Sequence, residues 1–256
     1  MTSRWASLRV GFVALAAVAL VSGPRASASP GALRVAVAAN FAAPVIELAK
    51  QFELETGYSV SVVSGSSGKH YAQIVNGAPF DVFFAADRER PQKLEESGLA
   101  VVGSRFTYAS GRLVLWSVDE EAVRNGAEAL SSTSVRRLAM ANPRLAPYGR
   151  AAAEILERYG LSSSFAGRIV QGESVAQAFQ FVASGNAELG FVALSQLRSL
   201  PAGLKGSSWL VPGDLHTPIE QQAVLLKDGH TAHRFLEFVA SDAARELIRS
   251  YGYEAP

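Results

Sequence analysis

The chain contains no cysteine. That excludes disulfide frameworks, thiolate nucleophiles and thiolate metal sites, and a chain of 256 residues can build a core without them. It also lacks a charge excess. Basic residues number 24 and acidic residues 23, so the basic surplus expected of a nucleic-acid binder is missing. Long apolar runs are scarce as well. Val10 to Val21 is a run of 12 residues, short of the roughly 20 needed to span a hydrocarbon core. Nothing later is long and apolar enough to span, and no fixed-period repeat or low-complexity tract follows.

The N-terminal run has instead the layout of an export signal. Arg4 and Arg9 precede it, and Ala26-Ser27-Ala28 offers small residues in the A-x-A arrangement. The expectation is a signal peptide over residues 1–28 and a soluble mature protein in the periplasm. Removing it takes away Arg4, Arg9 and Arg25 and no acid, which leaves 21 basic against 23 acidic residues, a net charge of −2. A mature chain of that charge must bind any anion through local dipoles. No cysteine follows the signal, which argues against a lipid-modified N-terminus.

What is present is an alternation of strands and helices. Leu33 to Ala38 reads as a buried strand. Phe41, Val45, Leu48 and Phe52 then share one helical face, with Pro44 inside the first turn and Gly57 as a stop. Tyr58 to Val63 is the next strand, followed by a small-residue turn over Ser64 to Gly68 and a helix from Lys69 to Val75. Asp81 to Ala86 is a third strand, and Asp87 can cap the helix carrying Leu94. This β-α-β-α-β-α order implies a mainly parallel sheet covered on both faces. Gly111 to Val118 opens a second set, with strands Arg137–Ala141, Arg168–Gln171 and Leu189–Leu194 and helices Arg150–Tyr159 and Ser174–Ala183. Gln221 to Leu226 is a further strand, and Thr231 to Tyr251 reads as an amphipathic helical stretch. The expected organisation is two α/β lobes: residues 29–109, an inserted lobe over 110–219, and a return over 220–256. The chain would cross between them near Tyr108–Gly111 and Thr217–Gln221.

Four strand-to-helix junctions offer small polar residues or free amides: Ala39-Asn40-Phe41, Gly65-Ser66-Ser67-Gly68, Pro147-Tyr148-Gly149 and Gly172-Glu173-Ser174-Val175. The first amides of a helix lack intrahelical acceptors, and the helix dipole puts partial positive charge there. Several such ends aimed at one spot bind an anion without a basic side chain. Asn40 and Ser67 could add an amide and a hydroxyl. Taken singly, each of these residues is more simply an ordinary N-cap.

Together with their flanks these segments resemble the periplasmic molybdate-binding proteins of ABC uptake systems. The matching stretches are Val35 to Phe41, Gly65 to Ile74, Asn76 to Asp87, Ala141 to Arg150, Gly172 to Val175, Gly190 to Ser195 and Tyr251 to Tyr253. They span nearly the whole mature chain in order. The resemblance implies a type II periplasmic binding protein fold, two lobes with mixed sheets joined by a two-strand hinge. It implies capture of molybdate or tungstate, delivery to a membrane permease, a monomer, no catalysis and no cofactor. By motif position Asn40 and Ser67 of the first lobe donate to the oxyanion, Tyr148 and Val175 do so from the second, at least partly by backbone amides, and Ala39 adds its amide. The metal is held only through its oxygens. Some members carry Ser at the position of Asn40 and Ala at that of Tyr148. Some also place a ligand-binding Tyr where this chain has Ala193, so the number of donors stays open.

Other readings are weaker. Gly65-Ser66-Ser67-Gly68 lacks the G-x-S-x-G spacing of a hydrolase nucleophile. His230 and His233 form H-x-x-H at a helix start, where a solvated turn is the simpler reading than a metal site. His70 and His216 stand alone. A binding protein for another oxyanion, such as sulfate or phosphonate, remains the alternative within the same class.

Overall fold

Nearly uninterrupted apolar strands need cover on both faces, and each of the first three strands is followed by a helix that gives it. The computed structural model describes residues 31–200, 204 and 206–254; the expected signal peptide, 1–28, lies outside the described residues. Strand β1 (Leu33–Ala38) leads through a short 3-10 turn, Ala39–Phe41, into α1 (Ala42–Thr56). Then come β2 (Val60–Gly65), α2 (Ser67–Val75), β3 (Val82–Ala85), α3 (Glu89–Glu96) and β4 (Phe106–Gly111). The second set is β5 (Leu113–Ser117), β6 (Leu138–Ala141), α4 (Pro147–Arg158), β7 (Ile169–Gly172), α5 (Val175–Ala183), β8 (Leu189–Ala193), α6 (Leu194–Arg198) and β9 (Ser207–Leu210). The chain returns through β10 (Ile219–Leu225), α7 (His230–Val239) and α8 (Asp242–Ser250).

Two five-stranded mixed sheets result, ordered β2-β1-β3-β10-β4 and β7-β6-β8-β5-β9. In the first, β2, β1 and β3 run parallel and β10 is antiparallel to both β3 and β4. In the second, β7, β6 and β8 are parallel and β5 is antiparallel to β8 and β9. Only Arg112 separates β4 of one sheet from β5 of the other. The return leg runs from the end of β9 to the start of β10. Strand alternation sorts the side chains. Val35, Val37 and Phe84 pack with α1, α7 and α8, whereas Ala36 and Phe83 pack with Ile74 and Leu94 on the other face. In the second sheet Leu113 and Leu115 face Met140, Ile155 and Phe191, while Val114 and Trp116 face Ala178 and Val182. Trp116 stacks on Phe179 at 4.9 Å.

Several elements differ from the sequence expectation. Helix α4 starts at Pro147 rather than Arg150, because proline at the first helical position gives up an amide that has no helical partner anyway. The stretch after Thr231 is two helices, broken where the Ser241 side chain caps α8 through the Ala244 amide at 3.3 Å. Strands β4 and β9 and the short α6 were not singled out as elements. The β-α-β-α-β-α order gives the parallel run β2-β1-β3, and both sheets are mixed, as the resemblance implies, because β5 and β10, the strands that carry the chain between them, enter antiparallel. Among the described residues no helix is long and apolar enough to cross a membrane.

Candidate functional site

Register puts the four junctions in pairs. Ala38 at the end of β1 lies opposite Gly65 at the end of β2, so the turns Ala39–Phe41 and Ser66–Ser67 leave the first sheet side by side. Ala141 at the end of β6 lies opposite Gly172 at the end of β7, which pairs the approaches to α4 and α5 in the second sheet.

At the second turn of each pair a serine caps the helix one residue before the candidate donor. Ser66 accepts from the Lys69 amide at 3.3 Å and Ser174 from the Gln177 amide at 3.4 Å. Ser67 and Val175 are therefore each the first residue of a helix, α2 and α5, where the amide has no helical acceptor. Ser67 is buried, and its hydroxyl oxygen accepts from the Ala86 amide at 2.9 Å, which leaves its proton to donate. The first turn of each pair has no side-chain cap: the entries at Ala38 and Ala146 carry none.

The two sets of turns meet. The Gly68 amide donates to the Leu145 carbonyl at 2.8 Å. A β-carbon on Gly68 would sit 2.9 Å from the Leu145 backbone, so glycine is what lets α2 approach the α4 loop. Arg90 donates to the Arg144 carbonyl at 3.0 Å, Lys69 pairs with Glu173 at 3.1 Å and Arg150 with Glu89 at 3.6 Å. Start of α6 ties two candidates together: the Ser195 hydroxyl donates to the Asn40 carbonyl at 2.8 Å, and Gln196 Nε2 donates to the Val175 carbonyl at 3.3 Å. Gln221 bridges Asn40 and Tyr148, accepting from Asn40 Nδ2 and donating to the Tyr148 hydroxyl. Each of Asn40, Ser67, Tyr148 and Val175 is buried and Ala39 is half-buried. A cleft of about 190 Å³ lies beside Ala86 and Pro147, the neighbours of two of these turns; it is lined by the carboxylates Asp87, Glu89, Glu154 and Glu220 as well as Arg88 and Arg150, and by none of the candidate donors themselves.

Two side chains are used differently from the expectation. Both Asn40 Nδ2 hydrogens are taken, by Gln221 Oε1 at 2.7 Å and the Tyr253 hydroxyl at 3.0 Å. The side-chain amide expected to donate to an anion instead holds its own turn in place. The Tyr148 hydroxyl also points inward, receiving Gln221 Nε2 at 3.4 Å, while its backbone amide lies in the first turn of α4. Burial pushes the phenols of Tyr108, Tyr148 and Tyr253 well up, which keeps them protonated. Asp87, which follows the residue bonded to the Ser67 hydroxyl, is ion-paired with Arg90. His70, behind the same turn, is pulled below the usual imidazole range by burial. Among the described residues no cluster of acids and histidines could hold a metal ion. His233 pairs with Asp228 at 2.8 Å instead.

Gln221, Tyr253 and Ser195 were missed as site residues. A glutamine opening an apolar strand and the Tyr251-Gly252-Tyr253 ending were the available signals.

The family model for bacterial extracellular solute-binding proteins matches residues 33–254. The molybdate-binding protein ModA of Azotobacter vinelandii is 49% identical over 240 residues, covering 92% of this chain and 95% of that protein. ModA of Rhodobacter capsulatus is 45% identical over 256 residues, covering 99% of each. The solved structure of the Azotobacter vinelandii periplasmic molybdate-binding protein superposes with a TM-score of 0.83 at 43% identity, over 88% of this chain and 99% of that one.

Proposed function

The chain belongs to the bacterial extracellular solute-binding proteins, among the molybdate-binding members, and on that premise we propose that it holds a molybdate or tungstate ion on the amides of four helix starts and hands it to an ABC permease. The observation that carries this site is the meeting of those starts from two sheets beside a carboxylate already neutralised by Arg90. Ser67 donates by hydroxyl and amide; Ala39, Asn40, Tyr148 and Val175 donate by backbone. Helix starts concentrate partial positive charge on an anion and keep their geometry without reorganising.

A pocket of donors selects by protonation. Molybdate is fully deprotonated at neutral pH, whereas phosphate keeps a proton that needs an acceptor. Leaving that proton unpaired costs about 1–3 kcal/mol. Sulfate and molybdate are both dianions without protons, so size separates them.

The chain acts as a monomer, without cofactor and without turnover, in the periplasm after removal of residues 1–28. Closure is a hinge motion about the β4–β5 link and the leg into β10, with the ion bridging both halves. Isothermal titration with molybdate, tungstate, sulfate and phosphate tests the reading. Tight binding of the first two alone is expected. Preference for sulfate would favour the other-oxyanion reading, and indifference to all four would overturn both.

A further inference from the structure

The Tyr251-Gly252-Tyr253 segment has no part in the donor set, yet its position is specific. Gly252 adopts φ +84°, and a β-carbon there would meet the Leu194 side chain at 2.8 Å. That left-handed turn swings Tyr253 inward, where it is 5% exposed and edge-on to Phe41 at 5.4 Å. The next residue pairs with the strand that leaves the first sheet: the Ser110 amide donates to the Glu254 carbonyl at 2.6 Å and the Glu254 amide returns to Ser110 at 3.1 Å. Arg112, between the sheets, pairs with Glu254 at 2.6 Å.

From this anchored position the Tyr253 hydroxyl donates to the Asn40 carbonyl at 2.6 Å, and the Ser195 hydroxyl donates to the same oxygen at 2.8 Å. Tyr253 belongs with the core of the first sheet and Ser195 with α6 of the second half. Two hydroxyls from opposite halves thus grip one carbonyl, at the centre of a turn whose neighbouring amides are proposed ligand donors. A carbonyl is an acceptor. Turned toward a dianion it repels; turned toward a protonated oxyanion it offers an acceptor in the middle of the donor turns. A trans peptide fixes the following amide opposite to it, so holding the oxygen also fixes the Phe41 N–H.

We propose that Tyr253 and Ser195 are positioning residues for anion selectivity: they hold the Asn40 carbonyl out of the donor pocket and keep that pocket free of acceptors. This rests on the oxyanion reading above. Gln221 supports the same turn from the side-chain end, accepting from Asn40 and from Tyr108 at 2.9 Å.

The test is titration of the full chain with molybdate at pH 7, with competition by phosphate and by sulfate. Tyr253→Phe keeps the ring and removes only the hydroxyl; Ser195→Ala removes the other. Each is expected to weaken molybdate by about three- to tenfold, and the pair by about a hundredfold. The diagnostic readout is selectivity. Phosphate should gain about tenfold relative to molybdate in the double variant, while the sulfate-to-molybdate ratio stays within about twofold, because only phosphate carries a proton for the freed carbonyl. Should the double variant fail to fold, the phosphate-to-molybdate ratio of Tyr253→Phe decides alone. Molybdate affinities within twofold of the parent, or losses with an unchanged phosphate ratio, would overturn the proposal. A parent chain that binds none of these anions overturns the oxyanion reading itself, and the selectivity role with it.

Discussion

The start of α2 and the start of α5 occupy the same place in their two sheets, and they are capped alike by Ser66 and Ser174. They differ in the residue that follows. Ser67 offers a hydroxyl as well as an amide; Val175 offers an amide only, its side chain committed to the core of the second sheet. The first half therefore presents chemistry through a side chain where the second presents backbone alone. Backbone donors tolerate many side chains, so substitutions in the second half should act through shape, and those in the first through lost hydrogen bonds.

The sharpest way to break this comparison is to place a charge in the first half. Asn40→Asp would put a carboxylate against Gln221 Oε1 and beside a bound dianion. Molybdate affinity should drop by more than about a hundredfold, since like-charge juxtaposition costs several kcal/mol; near-normal binding in titration would mean that this turn is not at the ligand. Gly68→Ala comes next. Its β-carbon would overlap the Leu145 backbone and hold the halves apart, with an expected loss of about 1–3 kcal/mol in binding. Small-angle scattering with saturating molybdate should show a less closed molecule than the parent.

The direct contrast is Ser67→Ala against Val175→Ala. Removing the hydroxyl should weaken binding by about 1–3 kcal/mol. Trimming the valine should cost mainly stability, about 0.5–3 kcal/mol, with affinity near the parent's once the chain is folded. Equal losses of affinity would erase the distinction between the halves.

His70 gives a smaller effect confined to the first half. Burial, the largest cause, holds its folded-state pKa below the ordinary imidazole value of 6.5. The unfolded chain therefore binds the proton more readily. Stability is fully present above pH 6.5 and falls as pH drops from there toward the folded-state pKa. His70→Gln should flatten the melting temperature between pH 7 and pH 5. The smallest effect belongs to the exposed Lys69–Glu173 bridge, where Lys69→Ala should change affinity by about 1 kcal/mol or less, and less still at high salt.

The sequence made these parts visible to different degrees for physical reasons. Val35, Val37 and the Phe41–Phe52 spacing are periodic, so the strand and helix of the first half could be read directly. Ser66-Ser67 stands out because small polar residues at a helix start have few uses. Pro147-Tyr148-Gly149 carries no apolar spacing, so periodicity places the start of that helix at Arg150, three residues late. Strand β9 is short and only partly covered, with too little pattern to register. The grip on Asn40 could not be read locally at all. Gln221 and Tyr253 lie 181 and 213 residues away, and nothing in their own neighbourhood states what they will meet. The resemblance to known binding proteins supplied the donor positions but not the fact that Asn40 spends its side chain inward.

The place of β10 has a consequence for how the molecule assembles. It lies between β3 and β4, yet it follows the whole second sheet in the chain. Until it arrives, β4 has no neighbour in its own sheet, whereas β5 to β9 form a contiguous block whose strands all pair within it. The second half should therefore mature first, and the first half should close around the returning strand. The intervening segment of roughly a hundred residues adds little to the entropy of that closure once it is compact, because such costs grow only with the logarithm of free loop length. A chain threaded outward from its N-terminus would then gain a working anion site only as a late event in folding.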